Sequence, residues 1–295
     1  MSKIIVRLKG GLGNQLFTYC AARRLAYVNN AELVLDSVTG FVDDYVYRNK
    51  YALDHFQINA RIASSRERIE PFSKYRRKLI KLLSRASQFN NRKYIEEINN
   101  KFDSRLIDLR IKRDIYFEGY WQDERYFIDI EDIIRKELQI NPPDDEINRD
   151  IADQIIRSNS IAIHVRWFDN PKMAQQSNVP FDYYLRAINK IEDTVKSPHY
   201  FLFSDFPHEA SKKFNFLNKL TVISNNKNNE NVYKDLWLMS QCKHFIIANS
   251  TFSWWGAWLA QNKSKIIIAP DICSNPNKNC KFYTSIPERW LKLSV

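Results

Sequence analysis

The 295-residue sequence lacks any apolar run that approaches the roughly 20 residues a membrane-spanning helix needs. Its opening, MSKIIVRLKG, lacks the apolar core of roughly 7 to 15 residues that marks a secretory signal. Internal repeats and low-complexity segments are also missing. These absences favour a globular cytoplasmic protein over a membrane-spanning, secreted or repeat protein.

Cysteine is scarce, and no C-x-x-C pair occurs among the four cysteines, Cys20, Cys242, Cys273 and Cys280. A chain of this length does not need disulfides to hold its fold together, so we expect reduced and partly buried thiols. For Cys273 and Cys280, which flank the segment SNPNKN, a disulfide under oxidising conditions is the alternative. No histidine lies near these two residues in the sequence, which argues against a metal site there.

Basic residues are plentiful, because 45 Lys and Arg stand against 34 Asp and Glu and give a formal net charge of +11 and a pI near 9.4. Such a charge attracts phosphates, nucleic acids and anionic membrane surfaces, and its sign alone does not choose among them. With 44% hydrophobic and 14% aromatic residues, the chain has enough apolar material for one large domain or two modest ones.

The first half of the chain opens with a strand, turn and helix pattern. KIIVRL predicts a buried strand, KGGLGN a glycine turn, QLFTYCAARRLAYV a helix and AELVLD a second strand. Residues 72–98 are basic and carry apolar residues at helical spacing, namely Tyr75, Leu79, Leu82 and Ala86. The prolines and acids of NPPDDEIN interrupt the pattern and predict a linker. We therefore expect one domain over residues 1–145, with a basic helical insertion, and a second over residues 146–295.

In the second half, short β-branched strands alternate with helices. The strands are SIAIHV, HYFLFSD, KLTVIS, HFIIAN and KIIIAP, and the helices begin near Phe181 and at NVYKDLWLMSQ and FSWWGAWLAQ. This alternation predicts an α/β fold with a parallel, doubly wound sheet, whose ligands bind beyond the carboxyl ends of the strands. Four strand ends carry polar clusters: residues 10–14, His164 with Arg166, Ser204 with Asp205, and residues 249–253.

The segment KGGLGNQ places three glycines between a strand and a helix, where backbone N–H groups can meet an anion. It resembles a dinucleotide fingerprint, but Leu16 stands where a third glycine would be required. In one interpretation Gly11 and Gly13 form a ligand loop, with the amides of Asn14 and Gln15 facing a sugar or phosphate. The alternative is a simple tight turn.

The pair in IHVR suits a phosphorylated ligand. Arg166 offers a planar fork of donors for a diphosphate, and His164 can donate to a phosphate or a base without a permanent charge. The structural alternative is a histidine bonded to backbone carbonyls and an arginine paired with Asp169. At the next strand end, Asp205 suits a sugar hydroxyl, a base or the cap of the following helix.

Two further features lie near helix starts. Asp235 belongs to an otherwise apolar helix, and ANSTFS supplies hydroxyls and amides at a helix start, where N–H groups bind phosphate. The polar residues of that segment are Asn249, Ser250, Thr251 and Ser253. The three tryptophans that follow them are expected in the core rather than in a stacking platform.

Four segments resemble, in order and at similar spacing, the successive motifs of the alpha-1,2-fucosyltransferase family. They are VRLKGGLGNQLFTYCAARRLA, YFEGYWQDERYF, IHVRWFD and DLWLMSQCKHFIIANSTFSWWGAWL. The resemblance covers nearly the whole chain and implies a GT-B type fold of two facing Rossmann-like domains with mostly parallel sheets. It further implies inverting transfer of L-fucose from GDP-L-fucose, without a metal or another cofactor, to the 2-hydroxyl of a galactose in a surface glycan or an O-antigen unit of lipopolysaccharide.

The resemblance also implies roles for individual residues. Arg166 would bind the donor diphosphate, with His164 beside it, and Asp235 would hold the guanine edge, all in the C-terminal domain. Residues 250–253 would lie at the phosphates. The loop between donor and acceptor would comprise Gly11, Gly13, Asn14 and Gln15.

An inverting mechanism also needs a base at the acceptor hydroxyl. Three acidic residues are candidates: Asp169, which follows IHVRWF, and Glu118 and Asp123, which belong to FEGYWQDE. Each of them has a surface or capping role as its alternative.

The family pattern is His-x-Arg-Arg-x-Asp, usually with glycine before the aspartate, and this sequence departs from it. Trp167 replaces the second arginine, Phe168 replaces the glycine, and Phe206 follows Asp205 where paired aspartates are usual. Aromatic residues in place of polar ones favour a less hydroxylated donor or an altered acceptor. GDP-L-fucose is therefore the first choice of donor, and a more deoxygenated sugar such as GDP-L-colitose is the alternative.

Two other classes of protein are alternatives. A catalytically inactive nucleotide-sugar-binding homologue is one, although the retained His164, Arg166 and Asp235 argue against it. Nucleic-acid binding has only the net charge in its favour, since no recognised motif supports it. The basic residues concentrate in residues 74–113, which suits docking on an anionic membrane that carries a lipid-linked oligosaccharide acceptor, or a solvated helix face.

Overall fold

The chain forms two compact units, Met1–Gln139 and Ile140–Val295. The computed structural model describes residues 1–167, 178–272 and 284–295. The division falls a few residues before the boundary expected after residue 145. Within NPPDDEIN, residues 141–144 form no helix or strand, as a linker would. The last residues begin a helix, because the side chain of Asp145 accepts a hydrogen bond from the backbone N–H of Asn148.

The first unit is built on a five-stranded parallel sheet of order β3-β2-β1-β5-β4. Its strands are β1 (Lys3–Arg7), β2 (Glu32–Asp36), β3 (Arg61–Ile62), β4 (Tyr94–Glu96) and β5 (Ile115–Glu118). The sequence predicted β1 and β2. It did not predict β3, β4 and β5, which are only 2 to 4 residues long and therefore too short for a clear hydrophobic period.

The helices of the first unit are α1 (Leu12–Val28), α2 (Ser73–Arg85) and α3 (Glu131–Glu137). Single turns of 3-10 helix occur at Phe89–Asn91, Ser104–Leu106, Glu124–Tyr126 and Ile128–Ile130. Helix α1 begins at Leu12, earlier than predicted, because Gly11 takes the extended N-cap position (φ −69°, ψ 172°) directly after β1 and the turn. Gly10 precedes it with φ +74°, a left-handed conformation that favours glycine.

The second unit contains a six-stranded parallel sheet of order β11-β10-β9-β6-β7-β8. Its strands are β6 (Asn159–Val165), β7 (Pro198–Ser204), β8 (Leu220–Val222), β9 (His244–Ile246), β10 (Ile267–Asp271) and β11 (Leu291–Ser294). All but β11 correspond to predicted strands. The parallel sheet that the alternation of strands and helices predicts is therefore present.

The helices of this unit are α4 (Glu146–Arg157), α5 (Phe181–Glu192), α6 (Pro207–Lys213), α7 (Val232–Gln241) and α8 (Thr251–Leu259). A 3-10 turn, Asn229–Asn231, precedes α7. Helices α5, α7 and α8 agree with the prediction, whereas α4 and α6 were not predicted. Within the described ranges, no helix combines the length and the apolar character needed to span a bilayer.

The three tryptophans of α8 are buried in the core, as the sequence predicted. Trp254, Trp255 and Trp258 are each at most 1% exposed, and the rings of Trp254 and Trp258 stack with their centroids 6.2 Å apart. The thiols of Cys20 and Cys242 are buried and reduced. Cys273 and Cys280 lie outside the described residues, so the alternative of a disulfide between them stays a prediction.

Candidate active site

Four neighbouring strands of the second unit end at one edge of its sheet. Strands β9, β6, β7 and β8 are adjacent and parallel, so the segments that follow them lie along the same carboxyl edge. This edge brings together most of the candidate residues that the sequence offered. They are His164, Arg166, Asp205, Asp235, Asn249, Ser250, Thr251 and Ser253.

His164 is a buried, neutral imidazole near the end of β6. It is 5% exposed, and its Nδ1 has no hydrogen-bond partner among the described residues. Burial, together with the charge of Arg166, lowers the pKa of His164 to about 3. The alternative that backbone carbonyls satisfy the ring is therefore not what the structure shows at Nδ1. The hydroxyl of Tyr184 instead donates to the backbone carbonyl of His164 (3.1 Å) and fixes the strand end.

Arg166 follows β6 and pairs with the aspartate that follows β7. Its Nη1 lies 3.0 Å from Oδ2 of Asp205, and its side chain is still 31% exposed. The alternative that the sequence raised, a pair with Asp169, involves a residue outside the described ranges. The pair with Asp205 fixes the direction of the Arg166 guanidinium, whose planar fork of donors suits a diphosphate.

Asp205 joins two strand ends instead of capping the helix after it. Besides the Arg166 pair, its Oδ1 accepts from the backbone N–H of Trp167 (3.1 Å). No side chain caps helix α6, and the backbone N–H of Phe206 donates to Oγ of Ser204 (3.1 Å). The capping alternative for Asp205 is therefore wrong.

The start of α8 presents backbone N–H groups at the same edge. Ser250 is the N-cap, and its Oγ accepts from the backbone N–H of Phe252 (3.3 Å). Ser253 is fully buried and donates to the carbonyl of Ser250 (3.3 Å), whereas Asn249 and Thr251 are half-buried. The side chains of Ser250 and Ser253 thus shape the helix start. The positive end of the helix dipole lies toward the edge.

Asp235 lies in the first turn of α7 within a group of amides. Its Oδ1 accepts from Nδ2 of Asn226 (2.8 Å), which also bonds Asn148 (2.8 Å). Burial raises the pKa of Asp235 to about 6, although the bond from Asn226 acts in the opposite direction. Asn225 and Asn226 were missed by the sequence reasoning. They immediately follow the predicted strand KLTVIS, so the rule that polar residues at strand ends deserve inspection would have found them.

The glycine loop of the first unit is partly committed to internal bonds. The amide of Gln15 is fully buried, donates to the carbonyls of Gly10 (2.9 Å) and Lys50 (2.8 Å), and accepts from the N–H of Ala52 (3.0 Å). Asn14 Oδ1 accepts from Gln122 (2.8 Å). The side chain of Gln15 therefore holds the segment around Lys50 in place. The predicted ligand contacts of Gly11, Gly13, Asn14 and Gln15 stay predictions.

Glu118, one of the three candidate bases, is heavily neutralised. Its carboxylate lies 2.8 Å from Arg7, 2.8 Å from Lys81 and 3.7 Å from Lys9, and it accepts from the hydroxyl of Tyr94. Although burial alone would raise it, these cations and hydrogen bonds lower the pKa of Glu118 to about 2. A carboxylate this stable takes a proton poorly, so its environment argues against a role as the base.

Asp123 has the capping role that was its alternative. It is the N-cap of the 3-10 turn Glu124–Tyr126, and both of its oxygens accept from Arg125, at 2.9 and 2.6 Å. Asp169, the third candidate, lies outside the described residues together with Phe168. Its role stays a prediction.

Glu97 is a carboxylate that the sequence reasoning missed. It follows β4 and accepts from the backbone N–H groups of Tyr120 (2.7 Å) and Trp121 (2.9 Å). Burial nevertheless raises the pKa of Glu97, in the direction opposite to that of Glu118. No sequence signal pointed to it, because Glu97 sits in a run of acidic and polar residues and its burial depends on the turn after β5.

Metal binding finds no support in the described part of the chain, where no group of three or more His, Cys, Asp and Glu side chains is placed to hold an ion. The predicted independence from metal remains a matter for experiment.

The sequence matches the family model described as Glycosyl transferase family 11 over residues 3–291. An alpha-1,2-colitosyltransferase from Escherichia coli is 29% identical over 302 residues, which cover 99% of both chains. An O-antigen biosynthesis glycosyltransferase, WbnK, also from Escherichia coli, is 32% identical over 286 residues, which cover 89% of this chain and 92% of that protein.

Solved structures show the same fold. The fucosyltransferase NodZ from Bradyrhizobium is similar with a TM-score of 0.54 and 14% identity, covering 94% of this chain and 97% of that one. A mutant of FUT1 from Arabidopsis thaliana is similar with a TM-score of 0.55 and 11% identity, covering 90% of this chain and 70% of that one.

Two α/β units with parallel sheets, together with this structural similarity, define a fold of the GT-B class. More particularly, the chain belongs to glycosyl transferase family 11. The fold class and the fucosyltransferase-like family that the sequence motifs implied are both confirmed.

Proposed function

We propose that the chain transfers a deoxyhexose, with inversion, from a GDP-sugar to the 2-hydroxyl of a galactose in an oligosaccharide acceptor. The carboxyl edge of the second sheet carries this proposal. There the partly exposed guanidinium of Arg166 lies on the same edge as the start of α8. Departure of GDP develops negative charge on a diphosphate, and a fixed cation with backbone N–H groups stabilises that charge.

In this proposal the neutral residues of the edge serve the donor as well. Burial keeps His164 uncharged, so its imidazole donates a hydrogen bond to the GDP-sugar without adding a second positive charge beside Arg166. Asp235, with Asn226 beside it, presents carboxylate and amide groups suited to the edge of a guanine. No metal or cofactor takes part, because Arg166 and the α8 start supply the positive charge that a metal would otherwise provide.

L-fucose is the first choice of donor sugar, and a more deoxygenated sugar such as L-colitose is the second. Trp167, whose backbone N–H donates to Asp205, and Phe206, which follows Asp205, are aromatic residues at positions where polar residues are usual in the family. An aromatic residue at a sugar site loses less from a missing hydroxyl than a polar one would. The relative named as a colitosyltransferase adds weight to the second choice.

For the base we propose Asp169, with Glu97 as the alternative among the described residues. Glu97 replaces Glu118 in this role, because burial raises the pKa of Glu97 whereas the cations around Glu118 lower that of Glu118. Substituting Asp169→Asn and Glu97→Gln separately tests the choice. The variant that lacks the base should lose the acidic limb of the pH profile of kcat/KM, and a profile unchanged in both variants would reject both residues.

A donor panel tests the function. Purified protein is given GDP-L-fucose, GDP-L-colitose or GDP-mannose with a β-galactoside acceptor, in buffer with and without a chelator, and the product linkage is determined by NMR. We expect an alpha-1,2 linkage, activity that survives the chelator and little transfer from GDP-mannose. Donor binding without any transfer would instead identify an inactive homologue.

We also propose peripheral contact of α2 with the anionic inner face of a membrane, where a lipid-linked O-antigen unit would be encountered. The side of α2 that carries Tyr75, Leu79, Leu82 and Leu83 is 58 to 74% exposed, whereas Arg77 on the opposite side is 7% exposed. A helix that turns an apolar stripe to solvent among many basic residues is typical of interfacial helices.

Vesicle co-sedimentation tests this contact. The variant Leu79→Ser/Leu82→Ser should bind vesicles containing anionic lipid about tenfold more weakly than the unmodified chain, because each leucine buries an apolar side chain in the interface. The matched control, Ile147→Ser/Ile156→Ser, removes two comparably exposed side chains of α4, 59% and 55% exposed, and should bind normally. Binding that depends on neither anionic lipid nor salt would dispose of the proposal.

A further inference from the structure

A cavity of about 370 Å³ lies at the carboxyl edge of the first sheet, beside α2. Its walls come from the ends of β1 and β5, from the segment after β2 and from one side of α2. The lining residues are Arg7, Thr39, Val42, Asp43, Ser73, Lys74, Arg77, Lys78, Lys81 and Glu118. The volume is within the range of small-molecule sites, and the edge is where ligands of parallel sheets bind.

The lining of the cavity is strongly cationic. Five of its side chains are basic and two are acidic, which leaves three formal positive charges in excess. The two lining carboxylates do not neutralise all of these cations, because Glu118 is shared by Arg7 and Lys81 as well as by Lys9 outside the cavity, and Asp43 pairs with Lys74 at 3.2 Å. Outside the lining, Glu96 lies 3.3 Å from Lys81 and Asp36 lies 3.6 Å from Arg77. Lys78 makes no ion pair with any described residue.

Arg77 is the most deeply placed of these cations. Its side chain is 9% exposed, and it donates to the hydroxyls of Thr39 (2.8 Å) and Ser73 (3.2 Å), while the carboxylate of Asp36 is 3.6 Å away. Burial and the neighbouring charge of Arg7 lower the pKa of Arg77, while the carboxylates of Asp36 and Glu118 act in the opposite direction. A bound anion would add a further negative charge beside this buried cation.

We propose that this cavity binds a phosphate or diphosphate group, separate from the diphosphate of the sugar donor. A single carboxylate would leave most of the excess charge unmatched, whereas a phosphate or diphosphate carries two or more negative charges. Arginine forks and lysine ammonium groups together are the usual ligands of phosphate oxygens. The natural source of the bound group is a phosphate ester within the acceptor, and this part of the inference rests on the proposed function. The other source is free phosphate.

Binding of inorganic pyrophosphate by the full chain tests the site. Calorimetric titration is performed in saturating GDP, so that the donor site is occupied, and compares two variants of α2 that each lose one positive charge. Lys78→Gln removes a cavity residue, and Arg85→Gln removes an exposed arginine whose partner is Glu96 outside the cavity. We expect Lys78→Gln to raise the Kd at least tenfold and Arg85→Gln to change it less than twofold.

Absence of pyrophosphate binding in the presence of GDP would overturn the proposal, as would equal weakening by the two variants. Lys78 is exposed, so its substitution leaves the fold intact and keeps the comparison valid. The titration requires no sugar transfer, so its result stands even if the proposed donor or acceptor is wrong.

A second measurement identifies the source of the anion. KM is determined for a galactoside that carries an alkyl diphosphate and for the same galactoside with a neutral alkyl group. If the acceptor supplies the anion, Lys78→Gln raises the KM of the diphosphate compound alone by several fold. If pyrophosphate binds but the two acceptors behave alike in the unmodified chain, the site belongs to free phosphate.

Discussion

At the carboxyl edge of the first sheet, Glu118 lies among Arg7, Lys9 and Lys81, and all four side chains are held in close ion pairs. At the corresponding edge of the second sheet, His164 is buried and uncharged, and Arg166 pairs with the carboxylate of Asp205. Both sheets are parallel and place polar residues at the same end of their strands. The charges of the first edge are therefore coupled through one shared carboxylate, whereas at the second edge Arg166 is oriented by Asp205 near an uncharged His164.

The largest expected effect comes from removing Arg166 at the second edge. Arg166→Ala should lower kcat at least a hundredfold while the fold persists, since one preorganised donor on a developing charge contributes about 3 to 4 kcal/mol. Steady-state transfer assays measure the effect. Arg157→Ala, which removes an arginine 81% exposed in α4, serves as the control and should leave kcat unchanged. Near-normal transfer by Arg166→Ala would mean that the second edge does not depend on this residue.

The next effect concerns the coupled charges of the first edge. Glu118→Gln should lower the free energy of unfolding at pH 7 by about 3 kcal/mol, because the folded pKa of Glu118 is about 2 against an ordinary 4.5. The pKa is lowered on folding, so this stabilisation is complete above pH 4.5 and is lost as the pH falls toward 2. Denaturant unfolding of Glu118→Gln and of the unmodified chain at pH 7 and pH 3 measures the loss of free energy at each pH.

The control for this variant is Glu209→Gln, which removes an exposed partner of Lys212 in the second unit and should cost less than about 0.5 kcal/mol. Equal losses in the two variants would show that the ion pairs of the first edge contribute no more than an ordinary surface pair.

The smallest expected effect is the pH dependence that His164 imposes. Its pKa is about 3 in the folded chain and 6.5 ordinarily, so below pH 6.5 the unfolded chain binds a proton that the folded chain does not. Stability is therefore lost as the pH falls from 6.5 toward 3, by about 2 kcal/mol at pH 5. In His164→Asn the difference in unfolding free energy between pH 7 and pH 5 should shrink by that amount.

The exposed His208 provides the comparison for this prediction, because His208→Asn should keep the pH dependence of the unmodified chain. An unchanged pH dependence in His164→Asn would show that the imidazole is not held neutral by its surroundings.

Most of the strands and helices that the sequence predicted lie in clear apolar runs or show helical spacing. Strand β6 and helix α5 were expected at or near their observed positions, since β-branched runs and helical spacing extend over several residues there. Strands β4 and β5 were missed because they are short and lie among charged residues, whereas β8 and β9, each 3 residues long, lie within apolar runs. Of the candidate linker, residues 141–144 form no helix or strand, whereas its last residues begin α4, because Asp145 caps that helix.

The sequence by itself determined the family, the parallel α/β architecture and the polar residues that follow the strands, because these depend on local pattern and on motifs read in order. Only the tertiary structure decided how those residues are charged. Glu118 meets Arg7 across 111 positions of sequence, and His164 loses its charge because the surrounding core excludes water. Charge interactions and desolvation depend on distance in space and on burial, and neither can be read from the order of residues along the chain.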